Sequence, residues 1–181
     1  MNLFKSQPET AYIGLGSNLG DRAGNLLLAV RCLMEASLCV NRLSSIYETA
    51  PVGMESANKF LNMVAEVEVR GFTASQMMAR LLRIEYSLGR GEKSAKTART
   101  IDLDILFLGN VQIESDLLTI PHPRLHLRKF VLCPLSEIAP NFVHPVLGSK
   151  IIEILGSVDD PCEVKRWNPN LNIPRESVAI T

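Results

Sequence analysis

Apolar and polar residues alternate along two segments of the chain, residues 61–69 and 101–107. A period of two is typical of a β-strand that buries one face. Two more strands are predicted at residues 11–15 and, from a weaker pattern, at 38–47. The apolar set that we expect on one face of the last strand is Ile101, Leu103, Ile105 and Phe107.

Two amphipathic helices are predicted between these strands. Asp21 is placed to cap the first helix, in which apolar residues recur at helical spacing. Thr73 and Gln76 form a capping box that begins the second helix, which ends at Gly89. The order β-α-β-β-α-β predicts an α/β (α+β) fold with a ferredoxin-like core, in which an antiparallel sheet carries both helices on one face.

C-terminal additions to this core are also predicted. They include a short returning strand at residues 111–113 and a closing helix at 151–155. From residue 159 the chain is rich in Pro and Asn and has no periodicity, which indicates an extended or irregular arm. We therefore expect a single domain over residues 1–158 and a tail of irregular structure over 159–181.

Two aspartates stand on the polar face of the last strand. Asp102 and Asp104 are two residues apart, so their carboxylates point the same way, about 6.6 Å apart along the strand. Two carboxylates at this spacing can share one hard cation or hold two metal ions. A solvated acidic face would tolerate the same pair, because in water the two charges repel by well under ~1 kcal/mol. The spacing alone leaves both interpretations open.

The phase of the strands gathers polar groups on one surface. If the apolar residues of the two alternating strands face the helices, Asn62, Asp102 and Asp104 fall together on the opposite face. Glu66 and Glu68 share that face, and we expect them to be solvated.

A basic, Gly-containing segment leads into the aspartates. Residues 90–100 lack apolar periodicity, which is typical of a solvated loop or of a cationic lid. We favour the lid, because it runs directly into the acidic pair and would bring Arg and Lys to phosphates gathered there. Arg99 and Thr100 add a guanidinium and a hydroxyl group that suit phosphate oxygens.

The composition narrows the classes of function. The 181 residues contain 19 Lys and Arg and 19 Asp and Glu, which argues against nucleic acid or an anionic membrane as the main partner. We expect no signal peptide, because residues 1–10 lack a long apolar core, and no run of residues is long and apolar enough to predict a membrane span. The four cysteines lack metal-ligand spacing. We expect a reduced, cytoplasmic protein.

Five short motifs follow one another along the chain: Gly14–Gly20, Phe60–Asn62, Gly89–Arg90, Arg99–Ile105 and Ile120–Arg124. In order and spacing they resemble the family of 6-hydroxymethyl-7,8-dihydropterin pyrophosphokinases, which act in folate biosynthesis. The resemblance runs from about Ala11 to Leu155. Its most specific part is the combination of R-T-I-D-L-D-I with I-P-H-P-R.

The resemblance implies transfer of the β,γ-pyrophosphoryl group of ATP to the pterin hydroxymethyl oxygen, with release of AMP. It implies that Asp102 and Asp104 hold two Mg²⁺ ions, and that Arg90 and Arg99 act on the transferred phosphates. The implied pterin contacts are Thr49, Val52, Phe60, Asn62 and Phe130. The implied ATP contacts are Glu85, Lys96, Ile105, Thr119, His122 and Arg128.

The chain departs from the family pattern at two places. The family's lid usually carries Arg-Trp-Gly-Pro-Arg before Thr-Ile-Asp, whereas this chain has Ala95-Lys96-Thr97-Ala98-Arg99 and therefore no Trp there. Position 60 is Phe where some relatives have Tyr, which keeps an aromatic ring for stacking and loses a hydroxyl group. Neither departure removes the acidic pair.

Two alternatives to a pyrophosphokinase remain. One is a ferredoxin-like module that binds nucleic acid on an open sheet, although carboxylates on that face would repel phosphates. The other is a two-metal nucleotidyl transferase, which would release pyrophosphate from the nucleotide. As partners we expect ATP and the pterin, no nucleic acid and no membrane, and we expect a monomer or weak homo-oligomer.

Overall fold

A computed structural model describes residues 8–50, 58–89 and 99–169. The strands in these residues are β1 Glu9–Ser17, β2 Cys39–Leu43, β3 Tyr47–Thr49, β4 Phe60–Val69, β5 Asp102–Leu108, β6 Ile113–Glu114, β7 Thr119–Ile120 and β8 Val164–Arg166. The helices are α1 Arg22–Glu35, α2 Ala74–Ser87, α3 Lys129–Ile138 and α4 Ile151–Ser157, with a 3-10 helix at Leu125–Leu127. No helix in the described ranges is long and apolar enough to span a membrane.

The main sheet is antiparallel and has β1 and β4 at its centre. Its strands follow the order β5-β1-β4-β3-β8, and β2 pairs with β4 beside β3. The strand predicted over residues 38–47 is therefore two strands. Ser44 separates them, because its Oγ accepts the Val64 N–H at 2.9 Å in place of a ladder bond. The ferredoxin-like order of core elements is confirmed.

Helices α1 and α2 pack on one face of this sheet, as predicted. Asp21 caps α1 by accepting the Gly24 N–H at 3.0 Å, and the capping box of Thr73 and Gln76 is present at the start of α2. The apolar residues of the strands and helices form one buried cluster between them. Its fully buried members include Ile13, Leu26, Leu33, Ala65, Met77, Leu81 and Ile101.

The opposite face is covered in part by α3 and α4, a layer in which only α4 was predicted. Its buried cluster includes Tyr12, Val64 and Leu106 from the sheet and Leu132 and Leu135 from α3. The sheet is therefore not open on this side. Part of the second face belongs to a second hydrophobic core.

Phe107 belongs to this second core, so its predicted position beside Ile105 on the first face is wrong. The pairing of β1 with β5 shifts its register between Tyr12 and Ile13, which lie opposite Phe107 and Ile105. One additional residue of β5 is accommodated there, and such a bulge inverts the facing of the residues beyond it. Phe107 is fully buried against the ring of Phe142, with ring centroids 4.8 Å apart.

Glu66 is buried, with 8% of its surface exposed, so the prediction that it is solvated is wrong. Its Oε2 accepts bonds from the Tyr12 hydroxyl at 3.2 Å and from Arg42 Nη2 at 2.6 Å. Burial and the Glu66 carboxylate raise the pKa of Tyr12 to about 12. Glu68 is partly exposed and pairs with Arg70.

The chain beyond residue 159 contributes to both layers. The Asp160 carboxylate accepts the N–H of Lys129 at 2.7 Å, at the start of α3. Strand β8 pairs with β3, and Trp167 packs against the first core. The prediction of irregular structure is wrong for β8, because its pairing comes from a distant strand and leaves no local periodicity. The division into a domain over 1–158 and a tail stays a prediction.

Candidate active site

Small and polar residues of three strands meet at one end of the second face, beyond the part that α3 and α4 cover. In the sheet register Gly16 lies between Asn62 on β4 and Asp102 on β5, and Gly14 lies opposite Asp104. Residues opposite each other in a ladder project to the same face. Gly16 therefore leaves bare backbone between the Asn62 amide and the Asp102 carboxylate, whereas the side chain of Leu106 lies over Gly14. We call these two positions the glycine strip. The common face of Asn62, Asp102 and Asp104 is the one that the strand phases predicted. A Cβ atom on Gly16 would lie 3.2 Å from Asn62 Oδ1.

The acidic pair lies at the start of β5, and the residues that lead into this strand are held by contacts with the end of β1. Asp104 is exposed, whereas Asp102 is partly buried and forms an ion pair with Arg99. The backbone of Arg99 is held by Asn18, whose Oδ1 accepts the Arg99 N–H at 2.7 Å. The Asn18 N–H donates in turn to the Arg99 carbonyl at 3.1 Å. Since Asn18 is only 1% exposed, the end of β1 determines where the chain enters the acidic strand.

Glu85, near the end of α2, lies behind the acidic strand. It is 2% exposed, and its Oε1 accepts the N–H of Leu103 at 2.8 Å. Because β5 is an edge strand, this bond satisfies a backbone donor that lies between the two aspartates. The contact gives Glu85 a role in positioning β5, and its predicted contact with ATP stays a prediction.

Three of the five residues predicted for the pterin, Thr49, Phe60 and Asn62, lie at the ends of β3 and β4. Asn62 is 7% exposed, and its Nδ2 donates to Thr49 Oγ1 at 3.0 Å. Phe60 is opposite Thr49 in the register, so both share the face of Asn62. Phe130 comes from the first turn of α3, which packs on this face, and it lies under the guanidinium of Arg128 at 5.4 Å.

A cleft on the other side of the acidic strand gathers three of the six residues predicted for ATP. Ile105, Thr119 and His122 line it together with Asp104 and Met78. The aspartate thus belongs both to this cleft and to the glycine strip. The structure therefore connects the two predicted halves of the site through one carboxylate.

The cleft carries a neutral histidine among arginines. Burial and the nearby Arg128 and Arg124 together lower the pKa of His122 to about 4, against the opposing charge of Asp102. Burial also lowers the pKa of Arg128, but an arginine side chain stays protonated in a protein. The site at neutral pH therefore presents imidazole and guanidinium groups next to the acidic pair.

The acidic pair is better suited to magnesium than to a metal ion whose ligands all come from the protein. In the residues that the structure describes, no group of three or more His, Cys, Asp or Glu could hold an ion. Mg²⁺ is commonly bound by one or two carboxylates, with waters and substrate phosphates as its other ligands. Asp102 and Asp104 provide such a donor set beside guanidinium groups.

Three of the predicted site residues, Val52, Arg90 and Lys96, lie outside the described residues. Sequence reasoning missed Asn18, Met78 and the cleft wall at residues 115–118. Asn18 follows directly on an apolar strand, and a short polar residue at that position was the available signal. No such signal was available for Met78, because a methionine next to the buried face of a helix is usually interpreted as a core residue.

A family model described as 7,8-dihydro-6-hydroxymethylpterin-pyrophosphokinase (HPPK) matches residues 12–140. The chain belongs to this family. Its similarity to two bacterial 2-amino-4-hydroxy-6-hydroxymethyldihydropteridine pyrophosphokinases agrees with that. The Bacillus subtilis protein is 45% identical over 71% of this chain and 77% of its own length. The Aquifex aeolicus protein is 37% identical over 80% of this chain and 89% of its own length.

Solved structures support the HPPK fold. A crystal structure of Plasmodium falciparum HPPK-DHPS with pteroate covers 83% of this chain with a TM-score of 0.66 at 15% sequence identity. This HPPK chain spans less than half of that longer protein, 44% of its length. At this level of identity the likeness concerns the fold alone.

Proposed function

We infer that this HPPK chain transfers a pyrophosphoryl group from ATP to the hydroxymethyl group of 6-hydroxymethyl-7,8-dihydropterin, a step of folate biosynthesis. Family membership supports the reaction. The single observation that carries the assignment of the site is the bare backbone of Gly16 in the glycine strip. It separates a hydrogen-bonding amide from the acidic pair on one face, an arrangement that suits a reaction between a flat heterocycle and a triphosphate.

The pterin half would be built by Asn62 with two aromatic rings. Asn62 already donates its Nδ2 to Thr49, while its Oδ1 lies beside Gly16 and can accept an N–H group from a ring above the strip. Phe60 and Phe130 would stack on the two sides of that ring. A flat ring with hydrogen-bonding edges would then be selected over an aliphatic alcohol.

The phosphate half would be built by the acidic pair and the arginines. Asp102 and Asp104 are the residues that would hold Mg²⁺, two ions in our proposal. When bound, Mg²⁺ neutralises charge on the triphosphate and aligns the displacement. Arg99 and Arg128 would stabilise the negative charge that moves between oxygens, and fixed cations of this kind need little reorganisation during the reaction.

Neutral His122 would serve the nucleotide as a hydrogen-bonding group without adding charge. Its ring lies with Ile105 and Thr119 in the cleft that begins at Asp104. Ile105 offers apolar contact and Thr119 a hydroxyl group, which together suit a purine and its sugar. The oligomeric state and the location in the cell stay predictions from the sequence.

The nucleic-acid alternative loses support because its stacking platform is covered. Tyr12 and Phe107, two aromatic residues on the second face, are buried under α3 and α4. Single-stranded RNA is usually bound by exposed aromatic side chains on a sheet. The nucleotidyl-transferase alternative differs from our proposal in the nucleotide product.

Product analysis with Mg-ATP and 6-hydroxymethyl-7,8-dihydropterin tests the proposal. We expect AMP and a pyrophosphorylated pterin in equal amounts. ADP as the nucleotide product would replace the proposal with a simple kinase, and pyrophosphate release would favour a nucleotidyl transferase. ATP binding without pterin-dependent turnover would contradict the pterin assignment.

A further inference from the structure

Arg22 occupies a position that its own helix does not favour. It is the first residue of α1, directly after the capping residue Asp21. The N-terminus of a helix carries partial positive charge, so a cation there is mildly unfavourable. A reason for an arginine at this position has to come from contacts outside the helix.

Those contacts join three elements. Arg22 Nη1 donates to Glu48 Oε1 at 3.1 Å and to the backbone carbonyl of Lys59 at 2.9 Å. The second carboxylate oxygen of Glu48 accepts from Lys59 Nζ, also at 3.1 Å. Partial burial would raise the pKa of Glu48, but the bonds from Lys59 and Arg22 outweigh it and lower that pKa. One guanidinium thus links α1, the middle of β3 and the residue before β4.

The two residues that Arg22 holds come directly before Thr49 and Phe60. Glu48 is opposite Leu61 in the register, and Leu61 is buried in the first core, on the side of α1. Thr49 and Phe60 lie opposite each other and project to the other face, where the candidate pterin contacts are. Arg22 therefore lies on the α1 side of the sheet and holds the two residues that are next to the candidate pterin contacts on the other face.

We propose that Arg22 is a positioning residue for the pterin half of the site, which it holds in place through Glu48 and the Lys59 carbonyl. The proposal rests on the pterin function inferred above. Without the arginine, the pair of Thr49 and Phe60 keeps its ladder but loses the contact that fixes it to α1. The hydrogen bond from Asn62 to Thr49 then loses its support, whereas the acidic pair, held by Asn18 and Glu85, is unaffected.

The kinetic test compares Arg22→Gln with Arg22→Lys. We expect Arg22→Gln to raise the KM for the pterin about tenfold, the equivalent of one lost charged hydrogen bond, and to leave the KM for ATP within about twofold. Arg22→Lys should recover much of the loss, because its ammonium group can donate to both acceptors. An equal rise in both KM values, or no rise in either, would overturn the proposal.

Arg31→Gln is the matched control. Arg31 lies on the same helix and forms an ion pair with Glu35 at 2.8 Å, but both side chains are largely exposed and the pair lies within α1. We expect this variant to show unchanged kinetics. Glu48→Gln removes the other partner of the contact, and in the Arg22→Gln background it should add no further rise in the pterin KM.

Hydrogen exchange separates this proposal from the proposed function. In the protein without substrates, amide exchange at residues 47–50 and 58–62 should be faster in Arg22→Gln than in the wild type and unchanged in Arg31→Gln. Unchanged exchange in both variants would refute the positioning role whatever the substrate is. Faster exchange in a protein that does not use the pterin would refute the pterin assignment and keep the positioning role.

Discussion

The glycine strip makes Gly16→Ala the most informative single change in the site. The added Cβ would lie 3.2 Å from Asn62 Oδ1, closer than an ordinary van der Waals contact, so the amide has to move by a few tenths of an ångström. Gly16 has no positive φ, so alanine meets no backbone strain there. Alanine costs less conformational entropy in a strand, and we expect the free energy of unfolding to change by less than about 1 kcal/mol.

The expected loss is in pterin binding. A displaced Asn62 weakens its bond to Thr49 and its proposed bond to the pterin. A hydrogen bond contributes about 0.5–1.5 kcal/mol, so weakening the one proposed bond to the pterin should raise the pterin KM about 2- to 13-fold. Steady-state kinetics with each substrate varied in turn measures this, and the KM for ATP should stay within about twofold of the wild-type value.

Gly14→Ala is the matched control for this variant. It lies on the same strand and the same face, and its Cβ would meet a Leu106 methyl carbon at 3.4 Å, an ordinary contact. We expect its pterin KM to stay close to that of the wild type. A wild-type pterin KM in Gly16→Ala, or an equal rise in both glycine variants, would refute the role of the strip.

Three further changes test the other parts of the site. Asp104→Asn should abolish turnover and magnesium-dependent ATP binding while Asp159→Asn, an exposed control, retains both, and full activity in the first would remove the metal assignment. The pKa of His122 is about 4 in the folded protein against an ordinary value of 6.5, so the unfolded chain binds the proton first as the pH falls. The free energy of unfolding should therefore fall between about pH 6.5 and pH 4, by about 1–3 kcal/mol after solvent screening, and urea titrations should show a flatter pH dependence in His122→Gln. Glu85→Ala should cost about 1–3 kcal/mol of stability because it leaves the Leu103 N–H without its acceptor, whereas Glu85→Gln should retain most of it, and equal losses in thermal unfolding would contradict this account.

The sequence was sufficient for the ferredoxin-like core, because alternation and caps are local signals. The two helix starts, at Asp21 and Thr73, and the common face of Asn62 with the aspartates all follow from residues a few positions apart. The same holds for the acidic pair itself. What each of these residues does in catalysis stays a prediction.

The errors arise where the deciding partner is distant in sequence. Phe107 changes face because of a register shift that only the pairing with β1 creates. Glu66 is buried because Tyr12 and Arg42 reach it from neighbouring strands. Arg128 occupies the N-cap position before helix α3 without capping it, and the helix contains Pro134, so its start and its interior both lack the usual local signals.

Helix α3 couples ligand binding to the closure of the second core, so that each of the two favours the other. The helix seals that core with Leu132 and Leu135, and its first turn carries Phe130, two residues after Arg128. A ligand that binds these two residues therefore also opposes detachment of the helix from the sheet. By mass action, a ligand at a hundred times its Kd adds about 2.7 kcal/mol to the stability of the state that binds it. An inhibitor that binds these residues would accordingly stabilise the fold, and a series of such inhibitors could be ranked by affinity from the melting temperatures of their complexes.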